Sequence, residues 1–199
     1  ALLGAPPYGA SRREGDLERG RVLAEALLHE RRPKDEHELR LVRAAIDATA
    51  AGFARAREVI EPGVSERHVQ IELETAMFHA GAQRLGYDTI VGSGPNSAVL
   101  HGAPSARTIG PRDLVLVDAG GSIDDYCADV TRTFAAGGHP GAEQRALLEM
   151  VEQAQRAALR ACWPGVEWRD VHTVAAREIA AGLIDARLLR GRVDDRIDD

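Results

Sequence analysis

The chain has 199 residues, 44% of them hydrophobic and 28% charged, which is typical of a globular protein with one sizeable core. Its formal net charge of −6 argues against nucleic acid or an anionic membrane as the main partner, and no apolar run reaches transmembrane length. The two cysteines, Cys127 and Cys162, are too few for a disulfide framework. They predict a reducing, cytoplasmic location in which both are small buried hydrophobic residues.

Helices dominate the first part of the chain. Residues 1–34 read as a linker and a helix: residues 1–16 are rich in proline and glycine, and Asp16 can cap a helix that ends near Arg31. Asp35 can then cap a long amphipathic helix over residues 36–60, where apolar residues recur at helical spacing.

The rest of the chain alternates between helices and short strands. Ser65 can cap a helix that runs to about Ala80. Short strands are predicted near residues 89–93 and 98–101, and two more helices over residues 142–162 and 167–187. This order of elements predicts an α+β fold.

Two aspartates, eleven residues apart, stand inside apolar strand sequence. Residues 114–117 form an aliphatic run that ends at Asp118. Residues 126–134 are rich in aromatic and β-branched residues and contain Asp129. The intervening segment supplies turn residues, so a hairpin is expected. Strands that pair about the Ile123–Asp124 centre would place Asp118 directly opposite Asp129.

That pairing needs a compensating positive charge. Like charges directly opposite each other destabilise a sheet, and a carboxylate among apolar strands is costly to bury. A divalent cation would satisfy both requirements, because carboxylate oxygens are its preferred ligands. The alternative is that each aspartate pairs with an arginine, such as Arg132 or Arg112, or simply ends its strand.

An internal repeat also appears in the sequence. Residues 62–69 (PGVSERHV) and 164–171 (PGVEWRDV) are identical at five of eight positions. In each copy a long predicted helix leads into Pro-Gly-Val and a second helix follows. A duplication would place the counterparts of the first copy's strands beyond residue 199. The alternative is chance, because Pro-Gly between helices is common.

Several motifs together carry a resemblance to a known family. The order of His101, Asp118-Ala119-Gly120 and Asp129-Val130-Thr131-Arg132-Thr133 resembles the Xaa-Pro aminopeptidases and prolidases, which are pita-bread-fold metallopeptidases. The similarity extends from about Arg31 to Arg190. It implies an incomplete pita-bread catalytic domain over residues 35–199, with residues 1–34 left from the junction with an N-terminal domain. Residues 35–138 would form the first α/β half and residues 139–199 the start of the second half.

The resemblance also implies a dinuclear metal site. Asp118 would bind one ion and Asp129 would bridge two, while one histidine and two glutamates would follow beyond residue 199. A carboxylate-rich ligand set favours Mn²⁺, with Zn²⁺ and Co²⁺ as alternatives. His101 would line the substrate pocket and contact the scissile amide. Its alternative role is that of an ordinary hydrogen-bonded histidine at a strand end.

The implied activity is hydrolysis of the bond between an N-terminal residue and proline, on a peptide or dipeptide, by a homo-oligomer. Gly102 is shared with methionine aminopeptidases, so an enzyme of that kind is one alternative. A non-catalytic pita-bread binding module is another.

Overall fold

A computed structural model describes residues 14–194. The helices are α1 (Glu14–Glu30), α2 (Glu36–Val59), α3 (Glu66–His79), α4 (Ala142–Ala161) and α5 (Trp168–Asp185). The strands are β1 (Arg84–Leu85), β2 (Ile90–Ser93), β3 (Leu114–Ala119), β4 (Gly121–Ile123), β5 (Tyr126–Cys127) and β6 (Val130–Ala135), and a 3₁₀ helix spans Gly94–Ala98. The predicted helices are confirmed to within a few residues, whereas most of the predicted linker lies outside the described range.

Side-chain caps fix where α2 and α3 begin. The carboxylate of Asp35 accepts a hydrogen bond from the Glu38 amide at 2.8 Å, and the Glu38 carboxylate accepts one from the Asp35 amide at 2.7 Å. The Ser65 hydroxyl accepts a hydrogen bond from the His68 amide at 3.2 Å. Both caps occupy the positions that the sequence predicts.

The core lies between α2, α3 and an antiparallel sheet in the order β2-β3-β6. Along β3, Val115, Val117 and Ala119 are fully buried, while the residues between them are partly exposed. Leu73 and Met77 of α3 belong to the same core cluster. Because neighbouring strand residues point to opposite faces, Asp118 lies on the face away from this core.

The hairpin between β4 and β5 turns one position later than predicted. Ser122 pairs with Cys127 and Ile123 with Tyr126, so the turn residues are Asp124 and Asp125. Their φ angles are 46° and 70°. Two positive φ angles are typical of the turn whose twist matches a hairpin, and aspartate tolerates this conformation better than most residues.

The later turn changes which residues face each other. Asp118 pairs with Thr131, not with Asp129, so the predicted direct opposition of the two aspartates is wrong. Asp129 precedes β6 and lies two residues from Thr131. It is therefore a diagonal neighbour of Asp118 rather than its direct partner.

Two further expectations are wrong. Residues 98–101 do not form a strand, because the chain follows the 3₁₀ helix into a turn in which His101 has φ 55°. Cys127 and Cys162 are exposed rather than buried, and both are free thiols. Cys127 lies on a two-residue strand beside the hairpin turn, and Cys162 follows the last residue of α4, so neither faces the core.

The repeated Pro-Gly-Val segments have the same backbone role. Gly63 and Gly165 have φ angles of 98° and 91°, and each turns the chain from one helix into the next. In the first helix pair Gly52 packs against Met77, and in the second Gly182 packs against Met150. Each pair therefore contains a glycine that lets a methionine approach closely. No helix of the described chain is long and apolar enough to cross a membrane.

Two helical glycines should respond in opposite directions to alanine substitution. A Cβ at Gly52 would lie 2.5 Å from Met77 Cγ and 2.9 Å from the Leu73 carbonyl oxygen, whereas one at Gly20 would meet nothing within 4 Å. We expect Gly52→Ala to lower the free energy of unfolding by about 1–3 kcal/mol through overpacking. Gly20→Ala should raise helicity without that loss, because alanine is the better helix former. Urea unfolding followed by circular dichroism measures both changes, and equal stability of the two variants would contradict this packing.

Candidate metal centre

A cleft of about 820 Å³ lies beside the sheet, on the side where Asp118 emerges. Its walls come from α3, from residues 85–90, from the loop after the 3₁₀ helix, and from the ends of the β3–β6 hairpin. His101, Asp118 and Asp129 all line it. The three site residues predicted from the sequence thus share one cleft, although they belong to separate segments of the chain.

The two aspartates meet at one tyrosine. The Tyr87 hydroxyl contacts Oδ1 of Asp118 in a short hydrogen bond and lies 3.0 Å from Oδ1 of Asp129. A phenol carries a single hydrogen, so it can donate fully to only one of these oxygens at a time. The other carboxylate oxygen then faces the phenol oxygen without a hydrogen between them. The cluster is therefore rich in negative charge and short of donors.

Close backbone contact sets this geometry. A Cβ at Gly120 would lie 1.7 Å from the Ala128 carbonyl oxygen and 3.2 Å from Tyr87 Cε1. The Gly86 amide donates to the Gly120 carbonyl at 2.7 Å, which places Tyr87 beside the hairpin. Only glycine at position 120 allows the three segments to come this close.

The described part of the chain gives the two aspartates no cationic partner. Within residues 14–194, no lysine, arginine or histidine nitrogen lies within 4.0 Å of either carboxylate. The guanidinium of Arg132 instead donates to the Thr131 carbonyl at 2.8 Å. The alternative in which arginines pair with the two aspartates is therefore wrong.

Tyr87 remains a neutral donor at ordinary pH. Burial, together with its hydrogen bonds to Asp118 and Asp129, raises the pKa of its hydroxyl far above the usual value of about 10. Ionisation would place a third negative charge beside two carboxylates. The phenol therefore holds the two side chains in place without supplying the positive charge they lack.

The donor set suits a hard divalent cation but is only part of a site. Carboxylate oxygens are typical ligands of Mn²⁺ and Mg²⁺ and also bind Zn²⁺. In the described part of the chain, no group of three or more histidine, cysteine, aspartate or glutamate side chains could hold a metal ion. Asp118 and Asp129 thus fit a metal centre that needs further ligands.

His101 stands at the rim of the cleft. Its backbone has φ 55°, and the Gly102 amide closes the turn by donating to the Val99 carbonyl at 3.3 Å. Among the described residues no group hydrogen-bonds its ring. An imidazole in this position can donate to, or accept from, a bound ligand.

The sequence matches a known metallopeptidase family over residues 40–193. The chain belongs to metallopeptidase family M24. Family membership implies divalent metal ions, and the resemblance predicted from the sequence motifs is confirmed.

Curated M24 relatives include Xaa-Pro aminopeptidases. The Escherichia coli (strain K12) Xaa-Pro aminopeptidase is 34% identical over 172 residues, which cover 86% of this chain and 39% of the relative. A probable Xaa-Pro aminopeptidase of Neosartorya fischeri is 35% identical over 180 residues, which cover 87% and 38%. The chain therefore spans about two fifths of the length of these relatives.

Solved structures show the same M24 fold. The Pseudomonas aeruginosa aminopeptidase PepP superimposes with a TM-score of 0.83 at 39% identity, over 87% of this chain and 40% of that one. A Zn-substituted Escherichia coli aminopeptidase P in complex with product gives 0.79 at 34% identity, over 83% and 38%. The predicted α+β pita-bread fold is confirmed for the part of it that this chain covers.

Removing the Tyr87 hydroxyl should destabilise the protein. Tyr87→Phe deletes a donor to charged groups and leaves two carboxylates close together, so we expect a loss of about 1–2 kcal/mol in the free energy of unfolding at pH 7. Tyr126→Phe is the matched control, because it deletes one hydroxyl that donates to the Glu38 carboxylate at 2.7 Å near the surface. Its effect should be smaller. If denaturant unfolding shows that Tyr126→Phe lowers the free energy of unfolding as much as Tyr87→Phe does, the shared hydrogen bond contributes no more to stability than an ordinary one.

Proposed function

We propose that this chain supplies part of the dinuclear metal site of an Xaa-Pro exopeptidase, with Asp118 and Asp129 as metal ligands and His101 as the residue that contacts substrate. The observation that carries the proposal is the sharing of one Tyr87 hydroxyl by two carboxylates that have no cationic partner within residues 14–194. Two carboxylates this close together repel each other, and bound divalent cations would remove that repulsion because carboxylate oxygens are their usual ligands.

The relatives support the choice of substrate. Those named above are Xaa-Pro aminopeptidases, so we propose a peptide or dipeptide with proline at the second position. This favours the prolyl-specific branch over a methionine aminopeptidase. The paired aspartates also count against a non-catalytic binding module, which has no need of two uncompensated carboxylates. Because two carboxylates are few ligands for two ions, residues 1–199 alone should bind metal weakly and hydrolyse little.

The roles of the residues follow from their positions. Divalent ions bound at Asp118 and Asp129 would supply Lewis-acid activation of water and of the scissile carbonyl. Tyr87 orients both carboxylates from the same side. The His101 imidazole, which has no hydrogen-bond partner within residues 14–194, can donate to the substrate's amide oxygen or move a proton near it.

Several finer points belong to the same proposal. The carboxylate ligands favour Mn²⁺, although the zinc-substituted Escherichia coli structure shows that a relative also accepts Zn²⁺. A cytoplasmic location is supported by two free, exposed cysteines. Assembly into a homo-oligomer is supported by apolar side chains in contact with solvent, such as Trp163 and Trp168, which are 71% and 78% exposed.

Metal binding should depend on the two aspartates individually. We expect chelator-treated protein to take up Mn²⁺ weakly in isothermal titration, and Asp118→Asn or Asp129→Asn to weaken that uptake at least about tenfold. Asp88→Asn is the matched control, because Asp88 lines the same cleft and its substitution removes an equal charge. An Asp88→Asn effect as large as the others would indicate diffuse attraction of cations and would contradict a ligand role for the pair.

Peptide hydrolysis tests the activity itself. With Mn²⁺ present, the 199-residue chain should release the residue before proline from Xaa-Pro peptides only slowly. If the reading frame continues beyond residue 199, the extended protein should be active, and His101→Ala should lower kcat by about 10²-fold or more. His79→Ala, an exposed histidine at the end of α3, is the control. Rapid hydrolysis by the 199-residue chain alone would show that the ligand assignment is wrong.

A further inference from the structure

A further carboxylate, that of Glu66, lies deep in the molecule and is separate from the Asp118–Asp129 pair. Glu66 is the first residue of α3 and has 0% exposure. A buried carboxylate is costly unless several donors satisfy it. Its position at a helix N-terminus offsets part of that cost, since the helix dipole stabilises negative charge there.

Each oxygen of Glu66 is bound by a different segment of the chain. Oε1 accepts hydrogen bonds from the Ser93 amide at 2.8 Å and from the Ser93 hydroxyl at 2.7 Å. Oε2 accepts from the Ser105 amide at 3.1 Å and from the Ser105 hydroxyl at 2.6 Å. The Asn96 side-chain amide lies 3.1 Å from both oxygens. These hydrogen bonds outweigh burial and keep the pKa of Glu66 below its usual value.

The two serines are the two ends of one loop. Ser93 closes β2, and the chain then passes through the 3₁₀ helix and the His101 turn before it reaches Ser105. At one end the Arg107 guanidinium adds a 2.9 Å hydrogen bond to the Ser93 hydroxyl. The tip of the loop is exposed, with Leu100 at 87%. The loop is therefore fastened at its ends and open at the tip that carries His101.

We propose that Glu66 is a positioning residue that fixes His101 at the rim of the cleft by holding both ends of its loop. The catalytic value of that position rests on the function proposed above, whereas the fastening itself does not. Within residues 14–194, no side chain hydrogen-bonds the His101 ring, so the ring's position depends on the backbone that carries it.

Glu66→Gln is the most informative substitution because it preserves the shape of the side chain and changes its charge and its hydrogen-bonding capacity. A carboxylate accepts at both oxygens, but an amide accepts at one and donates at the other. The glutamine nitrogen would face the backbone amide of either Ser93 or Ser105. One end of the loop then loses its hydrogen bond to residue 66 and keeps only its other contacts, which are the β2–β3 pairing at Ser93 or the hydrogen bond from the Arg67 amide to the Ser105 carbonyl.

Hydrogen–deuterium exchange of the 199-residue protein measures this release. We expect amides of residues 96–105 to exchange at least about tenfold faster in Glu66→Gln, the loss expected for one hydrogen bond to a charged group. Ser105→Ala, which keeps the amide donor, should give a smaller increase. Glu72→Gln is the control, since Glu72 lies on the same helix as Glu66 but pairs at 2.6 Å with Arg55 of α2, away from the loop.

A second readout follows His101 directly. In protein with ¹³C-labelled histidine, the His101 ring signals should broaden or split in Glu66→Gln and stay sharp in Glu72→Gln, well below both unfolding temperatures. Unchanged loop exchange and ring signals in Glu66→Gln, or equal changes in the two variants, would overturn the proposal. Neither measurement uses metal or substrate. A failure of the peptidase proposal would therefore appear separately, in the titration and hydrolysis experiments.

Discussion

Two carboxylates that share a single phenolic hydrogen are the constraint around which the cleft is organised. The Tyr87 hydroxyl can satisfy Asp118 or Asp129 but not both fully, and the residues described here offer no cation to make up the difference. Asp118 is partly buried and Asp129 is exposed, so the pair stays open to a ligand from the cleft. The chain belongs to metallopeptidase family M24, which implies divalent metal ions, and such ions would supply the positive charge that this pair lacks.

Three features of the surrounding structure form the cleft. The α2–α3 pair and the inner face of the sheet supply an apolar platform, which leaves Asp118 on the opposite face. Glycine contacts bring Tyr87 against the hairpin. The Glu66 hydrogen bonds gather the ends of the His101 loop on the other side. Backbone groups take part in the glycine contacts and in the Glu66 hydrogen bonds, which tie the site residues to the main chain.

Local signals in the sequence predict the helices, and the motifs select three residues that line one cleft. Capping residues such as Asp35 and Ser65 act within one turn, and their helices begin where expected. The hairpin register was not predictable in the same way, because glycines and aspartates on both sides of Ile123 offered alternative turns. The roles of Tyr87 and Glu66 have no local signal, since their partners lie 27 to 42 residues away. Contacts across such separations leave no periodic pattern to read.

The contact at Gly120 has a consequence for how this site can vary. The Ala128 carbonyl oxygen occupies the space where a side chain at position 120 would begin. Contact between backbone atoms therefore sets the distance between the segments that carry Asp118 and Asp129. Substitutions elsewhere in the cleft can alter its charge or its width and leave that spacing intact. Even one methyl group at Gly120 would force the segments apart, so the spacing of the two carboxylates tolerates no side chain at this position.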